Sequence, residues 1–133
     1  MPVYPYDRLS REVMTDLGYN CWKTEHWCPF SRRRKDLYNF IDSLAMEDDH
    51  MIGIQSSSAS GRSKRHKKIT DSPHALQWLK CPNRGIWLVT WAKKKVKRGG
   101  KAFKYIFTVD DYYLVDNTIH CNRDLKIDHK KCK

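Results

Sequence analysis

Asp36-Leu-Tyr-Asn-Phe-Ile-Asp42-Ser-Leu-Ala-Met46, a short acidic turn, and Met51-Ile-Gly-Ile-Gln55-Ser-Ser57 predict two adjacent antiparallel strands, 37–46 and 51–57. A turn centred on Asp48 and Asp49 sets Glu47 against His50, and the same register brings Asp42 opposite Gln55. Directly opposed side chains start about 4.5–5.5 Å apart at Cβ. Alternation puts Asp36, Tyr38, Phe40, Asp42, Leu44 and Met46 on one face. Met51, Gly53, Gln55 and Ser57 share a face of the second strand. Asp42 thus sits among apolar neighbours, where a carboxylate is costly unless it is paired or binds a metal. Two oxygen-bearing side chains converging there suit a hard divalent cation. A hydrogen-bond network or a buried lysine partner is the other reading.

Outward from this hairpin, Leu9, Val13 and Leu17 recur every four residues, predicting a helix from Tyr6 to Leu17 that stops at Gly18. Glu12 lies at the border of its apolar stripe, either turned toward the sheet or on a solvated flank. Tyr19 to Trp27 reads as a strand ended by Pro29. Phe30 to Lys35 reads as a basic connection. Ser58 to Ser63 is a small-residue loop, and Arg62 to Ile69 is a basic segment with one or two helical turns. Ser72-Pro73 predicts an N-cap and first helical residue, with that helix ending near Cys81-Pro82. Ile86 to Trp91 is an apolar run expected as a buried central strand. Further strands are expected at Phe103 to Val109 and Tyr112 to Val115, separated from the central strand by a turn at 97–100. The order implies an α/β fold, a central mixed β-sheet flanked by helices. Residues 1–116 are expected to form one domain, followed by a basic, flexible C-terminal tail at 117–133.

The 133 residues carry 26 Lys and Arg against 15 Asp and Glu, a formal charge of +11. That excess favours a polyanionic partner, and its clustering points to nucleic acid. Arg32, Arg33, Arg34 and Lys35 lead into the Asp42 strand. Arg62, Lys64, Arg65, Lys67 and Lys68 follow the Gln55 strand, so both runs should flank the hairpin. A third cluster, Lys93 to Arg98, surrounds a turn. No helix looks fit to read base edges, so backbone and shape recognition of DNA is expected. No apolar run approaches a membrane span, and the N-terminus lacks the basic start and apolar stretch of a signal peptide. Five cysteines without a repeating spacing suggest free thiols in a reducing, cytoplasmic setting. His120-Cys121 and His129-x-x-Cys132 have zinc-ligand types, but their irregular pairing and Lys-rich surroundings argue against a zinc site. Trp22, Trp78, Trp87 and Trp91 are expected mainly in the core.

The order of helix with Glu, strand, strand with Asp, tight turn and strand with Gln resembles the PD-(D/E)XK nuclease superfamily. It is most similar to archaeal and phage Holliday junction resolvases and related phage-type endonucleases. Phe40-Ile-Asp42-Ser-Leu-Ala45 resembles the strand with the metal-binding Asp, and Ile52-Gly-Ile-Gln55-Ser-Ser57 resembles the (D/E)-x-K strand. Arg34-Lys-Asp36-Leu-Tyr and the basic stretch 60–68 look similar to phage versions. The resemblance implies a restriction-endonuclease-like αβββαβ core and Mg²⁺- or Mn²⁺-dependent phosphodiester hydrolysis, on branched or structured DNA. A homodimer from a phage or similar mobile element, in the cytoplasm of its host, is implied too. Asp42 would hold the metal, Gln55 would supply a neutral oxygen, and Glu12 would complete the ligand set. Ser57 stands where the superfamily has its lysine. Lys64, Lys67 and Lys68 are the candidates to replace it. Should none reach the site, a catalytically degenerate DNA-binding protein is the alternative.

Overall fold

A computed structural model describes residues 5–133; the first four residues of the N-terminal segment read above lie outside the described residues. Helix α1 spans Tyr6–Asp16. Its end is a Schellman motif: Tyr19 N–H donates to the Met14 carbonyl, Gly18 N–H donates to that of Thr15, and Gly18 has φ +98. Strand β1 (Asn20–Lys23) follows, then a short ribbon of β2 (His26–Cys28) and β3 (Arg33–Lys35), then β4 (Ser43–Glu47) and β5 (His50–Ser58). A 3₁₀ turn leads into α2 (Arg62–Thr70) and α3 (Pro73–Lys80), where the Ser72 side chain accepts from Ala75 N–H and Pro73 opens the helix. The chain ends in β6 (Arg84–Lys95), β7 (Phe103–Val115) and β8 (Thr118–Leu125).

The fold is α/β with a mixed six-stranded sheet in the order β1-β4-β5-β6-β7-β8, and β2-β3 stands apart as a second sheet. Only β5 and β6 run parallel, because the α2–α3 crossover separates them. The two faces bury different helices. Leu9, Val13 and Met14 of α1 pack on Ala45, Ile52, Ile54, Val89, Trp91, Phe107 and Val109. Ile69, Ala75 and Trp78 of α2 and α3 pack on Phe40, Ile41, Ile86, Leu88 and Tyr112 from the other side. Ser10 ties α1 to the sheet: its Oγ contacts Ser56 Oγ at 2.8 Å and accepts from Trp91 Nε1 at 2.9 Å.

Four expectations change. The strand expected over 19–27 is broken between β1 and β2. The strand expected over 37–46 begins at Ser43, because Leu37 to Ile41 form a tight turn with Tyr38 and Asn39 at positive φ. The strands expected at 103–109 and 112–115 are one, β7. Residues 118–125, expected in a flexible tail, form strand β8, with Ile119 and Cys121 packed against the α2–α3 core and Leu125 against the α1 core. Farther on, Cys132 forms a bridge with Phe107. No helix among the described residues is long and apolar enough to cross a membrane. The five cysteines are free thiols.

Candidate active site

The β4–β5 register pairs Glu47 with His50 and Ser43 with Ile54, so Asp42, just before β4, meets Gln55. Asp42 N–H donates to the Ile54 carbonyl at 2.8 Å. Its Oδ2 accepts from Gln55 Nε2 at 2.8 Å and from Ser56 N–H at 2.9 Å. Both residues are buried. Leu44 and Gly53, one step along the same face, lie under Ile41 and Trp78, so Asp42 and Gln55 look toward the side covered by α2 and α3.

Two local irregularities add carboxylates to this pair. Thr24 N–H and Glu25 N–H both donate to the Asp42 carbonyl, at 2.9 and 3.0 Å. Two residues facing one is the signature of a bulge. Strict alternation would set Glu25 with Cys21 on the α1 face; the extra residue turns it to the face of Asp42. The second irregularity is the Leu37–Ile41 turn, which folds Asp36 back beside Asp42. Glu25, Asp36 and Asp42 each offer a carboxylate oxygen within 4.8 Å of the other two.

The charges in this cluster are managed one by one. Arg34 pairs with Glu25 at 3.1 Å, and Lys68 Nζ lies 3.5 Å from Asp36 Oδ2. Burial, reinforced by the hydrogen bond and negative charge of Asp36, pushes the Asp42 carboxyl up to about 9. The fold therefore favours the protonated form of Asp42. Beside it Gln55 Oε1 is buried and has no hydrogen-bond partner among the described residues. A pocket of about 370 Å³ opens next to the cluster, lined by Arg33, Lys35, Asp36, Asn39 and Lys68 among others.

The other candidate residues lie as follows. Glu12 does not join the cluster: α1 covers the opposite sheet face, and Glu12 is solvent-facing, paired with Arg8 at 2.8 Å. Ser57 is buried; its Oγ donates to the Ser58 carbonyl under the 3₁₀ turn. Lys64, Lys67 and Lys68 are on α2, and Lys68 is the lysine that reaches the acids. Arg62 is not free for phosphate, because it is clamped by Asp110 at 2.5 Å and Asp124 at 3.0 Å. Arg65 is half-buried, with its Nε enclosed. Arg32, Arg33, Arg34 and Lys35 are exposed on and beside the β2–β3 ribbon. His129 pairs with Asp16, and His120 stacks on Tyr113, so the C-terminal His and Cys residues do not converge on one point. Trp78 and Trp91 are buried and Trp87 half-buried, but Trp22 is exposed.

Glu25 and Asp36 were missed as site residues in sequence because a regular strand would have carried both elsewhere. The available signal was Tyr38-Asn39, since Asn is among the residues that tolerate positive φ. No family model matches the chain, nor does any curated protein or solved structure reach significance.

Proposed function

We propose that this protein is a divalent-metal-dependent DNA endonuclease of the PD-(D/E)XK type, with a restriction-endonuclease-like core, whose active centre is Asp42, Asp36, Glu25, Gln55 and Lys68. The carrying observation is the convergence of three carboxylates with a buried amide oxygen that has no partner among the described residues. Hard cations take such a set of oxygens, and the donors fit Mg²⁺ or Mn²⁺. Asp42, Asp36 and Glu25 would hold the ion, with Gln55 Oε1 as the neutral ligand. When bound, such an ion supplies Lewis acidity toward a phosphate oxygen and the attacking water.

The chain's own groups do the rest. Lys68 takes the part of the superfamily's lysine from α2 instead of from β5: its ammonium sits over the acids, where it can hold a phosphate oxygen or orient water. Arg33 and Lys35 line the adjoining pocket and supply phosphate contacts without sequence preference. Asp42 must lose its proton to serve as a ligand, so activity should rise with pH. DNA with a branch or another irregularity is the substrate this reading favours, and a homodimer would be the functional unit.

One observation favours a DNA-binding protein without activity: the Gln55 amide already occupies Asp42 Oδ2, where an acid would leave it free. Nicking of supercoiled and branched DNA in Mg²⁺ or Mn²⁺ decides between them. The nuclease reading expects cutting by the wild type, and loss of cutting with retained binding in Asp42→Ala, Asp36→Ala and Lys68→Ala. A wild type that binds DNA but cuts no form of it leaves the binding protein.

A further inference from the structure

The β2–β3 ribbon has no role in the core. It is a separate two-stranded sheet, yet it carries large aromatic side chains in solvent: Trp27 is 57% exposed and Phe30, in its turn, 97%. Trp22, 78% exposed on β1, pairs in register with Leu44. It therefore lies on the sheet face of Asp42. Trp27 is opposite Arg34 across the ribbon, and Arg34 reaches Glu25 of the acid cluster. Arg33 and Lys35 line the pocket beside Asp36. Two exposed rings thus share the ribbon with four consecutive cations, a third stands on the preceding strand β1, and the strand that bears those cations leads into the acids.

We infer that this ribbon is a docking surface for single-stranded DNA, with unpaired bases stacked on Trp22, Trp27 and Phe30 and phosphates held by Arg32, Arg33 and Lys35. The inference rests on the nuclease reading only in choosing DNA as the polymer, and it narrows the substrate to DNA with unpaired bases beside the scissile bond. Every base offers a π-face, so rings and cations in alternation bind single strands without reading sequence. Base faces inside a duplex are already stacked, so blunt duplex would use the cations alone. A second copy of the chain is the poorer occupant, because it would set two cationic ribbons against each other.

Fluorescence anisotropy of a single-stranded oligonucleotide of about 15 nucleotides, within the usual range of such sites, tests this against the same sequence as duplex. EDTA keeps cleavage out of the measurement. Trp27→Ala/Phe30→Ala should weaken single-strand binding by at least about thirty-fold, from stacking lost at two positions, and leave duplex binding unchanged. Arg33→Ala/Lys35→Ala should weaken both and flatten the salt dependence. Phe30→Ala alone removes a ring in solvent, so it tests stacking without threatening the fold. The inference is overturned if the aromatic variants keep single-strand affinity, lose duplex and single strand equally, or change the oligomeric state instead. Tighter binding of the matching RNA than of the DNA overturns it as well. The nuclease reading fails separately: a wild type that never cuts would leave the aromatic contrast intact.

Discussion

Replacing Asp42 by Asn should stabilise this protein, by an amount that grows with pH. The unfolded carboxyl ionises near pH 3.8, whereas in the fold it holds its proton to about 9. Between those values the native state binds the extra proton, so stability falls as pH rises through the window. Below it both states are protonated and Asp42 imposes no penalty; above it the penalty is complete. At pH 7, about three pH units into the window, roughly 1.4 kcal/mol per unit gives about 4 kcal/mol. Asn reproduces what the protonated acid does, since its oxygen accepts from Ser56 N–H and its amide donates toward Asp36.

Urea unfolding of wild type and Asp42→Asn in EDTA measures the difference. The variant should gain about 2 kcal/mol at pH 5 and about 6 kcal/mol at pH 8.5. Mn²⁺ should stabilise the wild type increasingly above pH 7, as the ion displaces the proton, and leave the variant unchanged. A gap between the two proteins that is flat or shrinks with pH would refute the assignment of a protonated Asp42.

Gly53 lies where an added Cβ would come within 2.9 Å of Ile41 Cδ1; Gly53→Val should cost about 1–3 kcal/mol in a thermal melt and, by pushing the Leu37–Ile41 turn outward, weaken Mn²⁺ binding at the cluster. Arg62→Ala should cost about 1.5–3 kcal/mol in chemical denaturation, since it leaves the fully buried Asp110 with only Arg123 at 3.5 Å and the Asp124 N–H. Burial alone would push the Asp110 carboxyl up, but the bonds from Arg62 and the Asp124 N–H and the charge of Arg123 pull it below the ordinary range, so wild-type stability from this cluster should be lost as pH falls below about 4, and Arg62→Ala should show less of that loss.

The register that brings Asp42 to Gln55 was legible because a two-residue turn leaves no freedom: with Asp48 and Asp49 at the bend, every later pair follows. The helix after Ser72-Pro73 and the buried strand around Ile86 to Trp91 were legible for a similar reason, their signals being local. What escaped was non-periodic. One bulge at Thr24-Glu25 reverses the face of a carboxylate and one turn at Tyr38-Asn39 folds another back beside Asp42, and period-two reading assumes neither occurs. Strand β8 escaped because most of its positions are polar or charged, with only Ile119 and Cys121 apolar toward one face and Leu125 toward the other. Asp116 and Asn117, both at positive φ, were its hairpin signal. Asp110 and Asp111 made β7 look like two strands, since the partner that makes a buried Asp110 tolerable lies 48 residues away on α2.

On the nuclease reading, Gln55 and Ser57 stand where the superfamily has an acid and a lysine, and the two differences are linked by charge. Three carboxylates within 4.8 Å cannot all ionise at low cost, and each already needs its own compensation: Arg34 for Glu25, Lys68 for Asp36, a proton for Asp42. A fourth acid at Gln55 would have no cation left to face it. With an amide there, the cluster carries one negative charge fewer, and its inner member donates or accepts according to pH. The same arithmetic explains Lys68. A lysine on β5 at position 57 would lie under the 3₁₀ turn, in the space Ser57 fills beside Gly61, whereas a lysine one helix later arrives from above the pocket, where it can stand aside. On the nuclease reading, a divalent ion would have to displace one proton and loosen two ion pairs, each worth about 1 kcal/mol or less, so the proton on Asp42 would gate when the site could fill.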